Sequence, residues 1–226
     1  MAHNSPAQTA VMCDFDGTVS LSDVSEGIFK QFAPPAWEEL DRLWHRAEIG
    51  TAECLREIFA MIEAAPEELE AFFDSVPIDR FFPEFARFCS DRDIPLTIVS
   101  DGLNYYLDRI LSSHRLEVPH VANELDWQEG RYHLTFPHAH ESCERCGNCK
   151  LDFLLGWRRN GWRIVYIGDG LSDCCAAAYA DVVLAKRKLA EWCGQEGLPY
   201  LPFKDFSDVL PAVERIHRMG SGPTTK

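Results

Sequence analysis

Two aspartates separated by one residue are the first side chains in the sequence that could do chemistry. Asp14 and Asp16 follow the apolar run 10–13 and precede Gly17. Because residues two apart on an extended chain point the same way, both carboxylates would leave a buried strand on one side. Carboxylates placed together repel each other, so the pattern indicates a divalent cation or a shared proton. Gly17 allows the sharp turn that brings backbone N–H groups toward an anion.

Three later stretches decide between this interpretation and a surface turn, which Asp-x-Asp-Gly would also suit. They are Val-Ser-Asp-Gly at 99–102, Lys150, and Gly-Asp-Gly-Leu-Ser-Asp at 168–173. The run Asp-Phe-Asp-Gly-Thr, followed in this order by these elements, resembles the four-motif signature of the haloacid dehalogenase (HAD) superfamily. Most members of that superfamily are magnesium-dependent phosphatases with an aspartate nucleophile. Four ordered motifs are far more specific than any one of them, and they span nearly the whole chain.

The elements that must position these motifs alternate along the chain. Apolar strands are predicted at 10–13, 94–100, 120–123, 162–167, 181–184 and 200–203, and a β-hairpin is predicted at 124–135. Helical patterns occur at 82–89, 104–111, 151–157 and 206–216. Alternation of strands and helices predicts an α/β fold, a doubly wound parallel sheet with right-handed crossovers. Ligands bind such a sheet at the carboxyl ends of its strands.

Four amphipathic segments between the first two core strands predict a helical insert. The first begins at Ser22 or Asp23 and is stopped by Pro34 and Pro35. By resemblance, this insert is the small helical cap of phosphoserine phosphatase and its relatives. The predicted organisation is an α/β catalytic core formed by 8–19 and 82–218, a helical cap at 20–81, and a flexible tail at 219–226.

Composition excludes several classes of partner. The chain has 226 residues and a formal net charge of −14, which argues against nucleic acid or an anionic membrane surface as the partner. No apolar run approaches the ~20 residues of a membrane span. Nine cysteines, an odd number, and an amino terminus without a signal-peptide pattern favour the reducing cytoplasm. With the family resemblance, we expect a cytoplasmic monomer or homodimer whose partner is a small phosphorylated metabolite.

The HAD resemblance implies a role for each motif residue in phosphomonoester hydrolysis. Asp14 would attack phosphorus to form an aspartyl-phosphate, while Asp16 would protonate the leaving group and then activate water. Mg²⁺ would be bound by Asp14, by the backbone carbonyl of Asp16 and by Asp169, with Asp173 a direct ligand or bound through water. Lys150 would be the fixed positive charge that pairs with both Asp14 and the phosphate.

The second motif and the start of the insert would contact the substrate. Ser100 would donate a hydrogen bond to a phosphoryl oxygen, with Asp101 and Gly102 beside it in the substrate-binding site. Asp23 lies where phosphoserine phosphatases carry an acidic residue for the substrate amine, although an ordinary helix cap explains this residue equally well. Counting from Gly50 finds no arginine where those enzymes bind the substrate carboxylate, and this departure weakens the phosphoserine interpretation.

A cysteine cluster precedes the lysine motif. Cys143, Cys146 and Cys149 have the spacing of metal ligands, with His138 and His140 nearby. The spacing is compatible with a structural Zn²⁺, with a redox pair, or with reduced thiols, and no second Cys-x-x-Cys pair follows. The Cys-Gly-Asn-Cys-Lys run is similar to the methionine-salvage branch of the superfamily, whose phosphatases act on 2-hydroxy-3-keto-5-methylthiopentenyl-1-phosphate.

Three functions therefore remain open from the sequence. The first is a Mg²⁺-dependent phosphatase of that compound or of phosphoserine, phosphoethanolamine or phosphocholine. The second is a phosphotransferase that passes the phosphoryl group to an alcohol. The third is a non-catalytic binding or regulatory module with a zinc-bound cysteine loop. The complete set of Asp14, Asp16, Lys150 and Asp169 argues against the third, because a module without chemistry has no need of all four.

Overall fold

Seven strands form one sheet in the computed structural model, which describes residues 8–220. The sheet order is β4-β3-β2-β1-β5-β6-β7. The strands are β1 (Thr9–Cys13), β2 (Leu96–Leu103), β3 (His120–Gln128), β4 (Arg131–Thr135), β5 (Arg163–Gly168), β6 (Val182–Ala185) and β7 (Leu201–Pro202). β1 pairs in parallel with both β2 and β5, whereas β3 and β4 form an antiparallel hairpin. The predicted α/β class with a mostly parallel sheet is confirmed.

Ten α-helices are assigned within residues 8–220. They are α1 (Val24–Phe32), α2 (Trp37–His45), α3 (Thr51–Phe59), α4 (Pro66–Phe73), α5 (Phe82–Asp91), α6 (Asn104–Ser113), α7 (Lys150–Arg159), α8 (Cys174–Ala177), α9 (Arg187–Glu196) and α10 (Phe206–Gly220). The four helices predicted for the insert are α1–α4, and they lie between β1 and β2 in the chain. No helix within this part of the chain is long and apolar enough to cross a membrane.

Several element boundaries differ from the sequence prediction. The short strand at 120–123 and the first arm of the hairpin are one strand, β3, because Asn123 is buried within the strand and its amide donates to the backbone carbonyl of Asp101 at 2.7 Å. β2 continues past Ser100 to Leu103. α10 ends at Gly220, so Met219 and Gly220 are helical, while the rest of the predicted tail, 221–226, lies outside the described residues.

Contacts divide the chain into two compact units. Of the described residues, the first unit comprises 8–14, 79–98 and 150–220, and the second comprises 15–78 and 99–149. The second unit thus contains α6, β3, β4 and the cysteine loop together with the insert helices. Of the predicted cap at 20–81, residues 20–78 belong to this unit and residues 79–81 to the first, and its status as a separate domain stays a prediction.

Each unit has an aromatic core. In the first unit, the Phe206 ring centroid lies 4.9 Å from that of Phe82 and 5.2 Å from that of Phe85. In the second unit, Phe73 packs against the ring of Tyr106 at 5.9 Å. All five residues of β1 are buried, as expected for the central strand of a parallel sheet.

Candidate active site

Parallel pairing brings two of the predicted site residues to one edge of the sheet. Cys13, the last residue of β1, is in register with Ile167 of β5, and the Asp14 N–H donates to the Ile167 carbonyl at 2.9 Å. Asp14 and Asp169 therefore follow the carboxyl ends of neighbouring strands. Both are buried, with exposed fractions of 4% and 8%.

Lys150 is a buried cation between two carboxylates. Its Nζ lies 2.5 Å from Oδ1 of Asp14 and 2.6 Å from Oδ1 of Asp173, and its side chain is 2% exposed. Burial acts to lower the pKa of Lys150, but the charges of Asp14 and Asp173 outweigh burial and raise that pKa well above its ordinary value. Lys150 therefore stays charged and pairs with both acids, offsetting part of their combined negative charge. The structure places this residue at the start of α7, as the sequence predicts.

Asp173 is completely buried and accepts hydrogen bonds from four donors. Its Oδ1 accepts from Lys150 and from the Tyr166 hydroxyl at 2.7 Å. Its Oδ2 accepts from the backbone N–H groups of Asp169 and Gly170 at 3.0 and 2.9 Å. Asp173 thus orients Lys150 and closes the turn that follows β5. These contacts favour an indirect role for Asp173 at a metal over direct ligation, and its metal role stays a prediction.

The donors at this edge fit a divalent cation. Among residues 8–220, Asp14, Asp169 and Asp173 form the one group of three His, Cys, Asp or Glu side chains whose ligand atoms all lie within 4.8 Å of one another. Burial and the neighbouring Asp173 charge raise the pKa of Asp169, against the lowering effect of Arg187, whose Nη1 lies 3.1 Å from Oδ2. A buried, oxygen-only cluster with this excess of negative charge suits Mg²⁺.

Asp16, in the second unit, accepts hydrogen bonds from a backbone N–H and from two hydroxyl groups. Its Oδ1 accepts from the backbone N–H of Val24 at 2.8 Å. Its Oδ2 accepts from the Tyr106 hydroxyl at 2.5 Å and, in a longer contact of 3.3 Å, from the Ser100 hydroxyl. Burial and the charge of Asp16 raise the pKa of Tyr106 well above its ordinary value, so this hydroxyl remains a donor.

Sequence reasoning missed both tyrosines, Tyr106 and Tyr166. Each is fully buried and bonded to an acidic motif residue. In the sequence, both look like ordinary core aromatics. The one available signal for Tyr106 is its place four residues after Gly102, on the first turn of the helix that the second motif begins. No comparable spacing rule identifies Tyr166, which lies within a strand.

The second motif is more heavily bonded than predicted. Ser100 is buried and its hydroxyl accepts from the Gly102 N–H at 3.0 Å. The Asp101 Oδ1 accepts from the N–H groups of Gly147 and Asn148, at 2.9 and 2.7 Å. Asp101 Oδ2 accepts from Thr51 at 2.8 Å. Asp101 therefore holds the cysteine loop and the start of α3, and its predicted contact with substrate stays a prediction.

Asp23 is the N-cap residue of α1. Its side chain accepts from the Glu26 N–H at 2.9 Å, the geometry of an ordinary helix cap. Contact between Asp23 and a substrate amine stays a prediction. Gly17 has a φ of +73°, which supports the sharp turn predicted after the two aspartates.

The cysteine loop gives no support for zinc. All nine cysteines lie within the described residues and none forms a disulfide bond. Cys143, Cys146 and Cys149 do not form a group of three ligand atoms like that of Asp14, Asp169 and Asp173. The loop is instead fastened by protein contacts, among them the Arg145 carbonyl, which accepts from the Thr51 N–H at 2.9 Å.

Three comparisons with known proteins agree with this geometry. Residues 11–178 match the family model for haloacid dehalogenase-like hydrolases. The chain is 33% identical over 217 residues to the 2-hydroxy-3-keto-5-methylthiopentenyl-1-phosphate phosphatase of Geobacillus kaustophilus (strain HTA426), covering 92% of this chain and 97% of the relative. It is 32% identical to the protein of the same name from Geobacillus thermodenitrificans (strain NG80-2), with the same coverage.

Solved structures support the fold. A substrate-bound phosphoserine phosphatase superimposes with a TM-score of 0.68 at 15% identity, covering 91% of this chain and 98% of that chain. At this identity the likeness concerns the fold alone. The family match and the phosphatase relatives bear on the chemistry as well. The chain belongs to the haloacid dehalogenase-like hydrolases and is an enzyme of their phosphatase class.

Proposed function

We propose that this enzyme hydrolyses a small phosphomonoester with Mg²⁺, through an aspartyl-phosphate on Asp14. The buried Lys150 between Asp14 and Asp173, beside Asp169, is the observation that carries the proposal. A structural role alone would not favour burying four ionisable groups together, since apolar packing is usually at least as stabilising. A site for a doubly charged phosphoryl group and its metal ion needs such groups.

Asp14 is the proposed nucleophile because its partner keeps it ionised. One carboxylate oxygen attacks phosphorus, the bond between phosphorus and the leaving oxygen breaks, and the phosphoryl group is bound to Asp14 as an acyl phosphate, a mixed anhydride. Lys150 offsets the negative charge that this approach brings together. Mg²⁺ held by Asp14 and Asp169 would supply further charge neutralisation at the phosphoryl oxygens. The predicted ligation by the Asp16 carbonyl and the predicted hydrogen bond from Ser100 to the phosphate belong to the same proposal.

Asp16 is the proposed general acid and base. Its proton passes to the leaving oxygen in the first step, and in the second step Asp16 takes a proton from the water that attacks the phosphorylated Asp14. The hydroxyl partners of Asp16 can donate to its ionised form and accept from its protonated form. Chain continuity supports a joint role for the two acids, because only Phe15 separates them.

The proposed substrate is 2-hydroxy-3-keto-5-methylthiopentenyl-1-phosphate, the compound in the names of the relatives reported above. Identity of about one third over nearly the whole of both chains supports this choice. Nine thiols without disulfides support the expected reducing, cytoplasmic setting. Phosphoserine is the second candidate, favoured by the acidic residue Asp23 at the start of α1.

Phosphate release over a panel of metabolites tests the proposal. The panel contains the methylthiopentenyl phosphate, phosphoserine, phosphoethanolamine, phosphocholine and sugar phosphates, each with Mg²⁺ and with EDTA. We expect Mg²⁺-dependent turnover dominated by the methylthiopentenyl phosphate. Dominance of phosphoserine would select the second candidate, and new phosphoesters formed with added alcohols would indicate phosphotransfer. Absence of turnover by folded protein across the panel would contradict the proposed catalysis.

A further inference from the structure

We propose that Tyr106 is a positioning residue that fixes the Asp16 carboxyl for proton transfer to the leaving oxygen. This inference rests on the proposed function. Tyr106 lies on α6, and its hydroxyl is 2.5 Å from Oδ2 of Asp16. The side chain is fully buried, and its ring packs against those of Phe15 and Phe73 at centroid distances of 6.1 and 5.9 Å. A tyrosine packed in this way holds its hydroxyl at a fixed point.

The two oxygens of Asp16 are fixed from different elements. The N–H of Val24, in the first turn of α1, binds Oδ1 at 2.8 Å, whereas Tyr106 binds Oδ2. Two such contacts define the rotation of the carboxyl group about its Cβ–Cγ bond, a torsion that is otherwise broad. The Tyr106 contact is shorter than the contact of 3.3 Å between Oδ2 and the Ser100 hydroxyl, so its loss weakens the hold on this oxygen. The carboxyl group could then rotate, and fewer of its orientations would be aligned for proton transfer.

Gly102, which has no side chain, leaves space for the hydrogen bond between the Tyr106 hydroxyl and Asp16. A Cβ atom at this position would lie 1.6 Å from the Tyr106 hydroxyl oxygen and 2.7 Å from Asp16 Oδ2. Both distances are far shorter than real contacts allow. The glycine of the second motif is therefore needed for the approach of Tyr106 to Asp16, apart from any approach of its backbone to phosphate. Gly102, near the end of β2, and Tyr106, in the first turn of α6, therefore form one structural feature.

Substrates whose leaving groups differ in stability as anions distinguish a positioning role of Tyr106 from a structural one. An alkoxide needs a proton as its bond to phosphorus breaks, whereas p-nitrophenolate is stable as an anion. Loss of acid alignment should therefore slow an alkyl ester far more than p-nitrophenyl phosphate. The ratio kcat/KM reports the steps up to transfer onto Asp14, so slow hydrolysis of the later intermediate does not obscure the comparison.

The test compares Tyr106→Phe with Tyr105→Phe. The control residue is next in sequence, and its hydroxyl donates to Glu70 at 2.8 Å. Because general acid catalysis contributes about 10²–10⁴-fold in rate, we expect Tyr106→Phe to lower kcat/KM for the best alkyl ester of the panel by about 10–100-fold. We expect little change with p-nitrophenyl phosphate and little change in Tyr105→Phe with either ester. Gly102→Ala, which displaces the hydroxyl without removing it, should reproduce the selective loss.

A double variant provides a second, independent measurement. In an Asp16→Asn background, Tyr106→Phe should cause no further loss with the alkyl ester, because the carboxyl group that it positions is absent. Equal losses on both esters, or a full additional loss in the Asp16→Asn background, would show a merely structural role and overturn the inference. Wild-type protein inactive toward every ester would instead overturn the proposed function. Thermal unfolding of each variant confirms that it is folded.

Discussion

Asp14 and Asp16 are separated by one residue, and their carboxylates are held in opposite ways. Asp14 contacts a buried cation, since the Lys150 Nζ lies 2.5 Å from its Oδ1. Asp16 contacts neutral donors, the Tyr106 hydroxyl at 2.5 Å and the Val24 N–H at 2.8 Å. The same side chain therefore meets a buried cation at one position and hydroxyl and backbone N–H donors at the other.

This difference would allow one residue type to serve the two proposed roles. Asp14 forms a buried ion pair with Lys150, and an ion pair favours the charged form of a carboxylate, the form that a nucleophile needs. The hydroxyl partners of Asp16 can be donors or acceptors, so the group can lose and regain a proton, as a general acid and base must. The two roles come from the family resemblance and stay proposals, and the different partners of the two side chains support them.

Replacement of the proposed nucleophile should give the largest effect. Asp14→Asn should lower kcat by at least about 10³-fold, because loss of a nucleophile removes the covalent route itself. The variant should still fold, since its amide oxygen can accept from Lys150. Phosphate release and thermal unfolding measure the two outcomes, with Asp152→Asn on the exposed surface of α7 as the control. An Asp14→Asn variant with wild-type activity would contradict the distinction between Asp14 as nucleophile and Asp16 as acid and base.

Replacement of the proposed acid and base should give a smaller loss. Asp16→Asn should lower kcat by about 10²–10⁴-fold with an alkyl ester, the usual contribution of proton transfer. Asn keeps the size and one acceptor of Asp, so stability should change little. The control is Asp126→Asn in the exposed part of β3. An Asp16→Asn variant as active as this control would show that Asp16 does not exchange a proton during the reaction.

Removal of the buried cation should affect stability as well as rate. Lys150→Met leaves Asp14 and Asp173 without their shared counterion, and breaking a buried ion pair in this way typically costs about 3–5 kcal/mol. Urea unfolding measures the change, with the exposed Lys188→Met as the control. Adding Asp173→Asn should restore part of the loss, because one unpaired charge is removed. A Lys150→Met variant as stable as the wild type would contradict the assigned charge pairing.

Replacement of Asp169 should give the smallest effect, and it should stabilise the metal-free protein where the replacement of Lys150 destabilises it. Because burial and Asp173 raise its pKa in the folded protein, the ionised form costs stability at neutral pH without metal. At pH 7 and without metal, Asp169→Asn should therefore have a higher melting temperature than the wild type. In a chain of this size, each kcal/mol of added stability raises the melting temperature by about 2–4 °C. The difference should fade as the pH falls and the wild-type carboxylate is protonated. Mg²⁺ should raise the wild-type melting temperature and leave that of Asp169→Asn largely unchanged.

Local sequence patterns were sufficient to predict the sheet and the positions of the motifs at the ends of its strands. Asp14 and Asp169 each follow an apolar strand directly, and parallel pairing of those strands places them together. Lys150 begins a helix, as its sequence context indicates. These predictions succeed because each depends on a few consecutive residues and on one general rule of parallel sheets.

The partners of the motif residues could not be predicted, because they come from distant parts of the chain. Tyr106 is 90 residues from Asp16, and Thr51 is 50 residues from Asp101. Periodicity identifies a buried tyrosine but not the acid that it contacts. Asn123 illustrates the same limit, because a buried partner keeps this polar residue inside β3 where a break was predicted. These partners are set by specific hydrogen bonds between residues far apart in the sequence, which local sequence patterns do not predict.

The identity of the phosphorylated residue tests the division of roles most directly. Wild-type enzyme turning over its best substrate with Mg²⁺ is quenched and treated with borohydride, which reduces an aspartyl-phosphate to homoserine. Mass spectrometry of the peptide that contains residues 14 and 16 then locates the change. We expect homoserine at position 14, an unchanged Asp16, and no homoserine in Asp14→Asn. Homoserine at position 16, or turnover without homoserine at any residue, would contradict the assignment of Asp14 as nucleophile and Asp16 as acid and base.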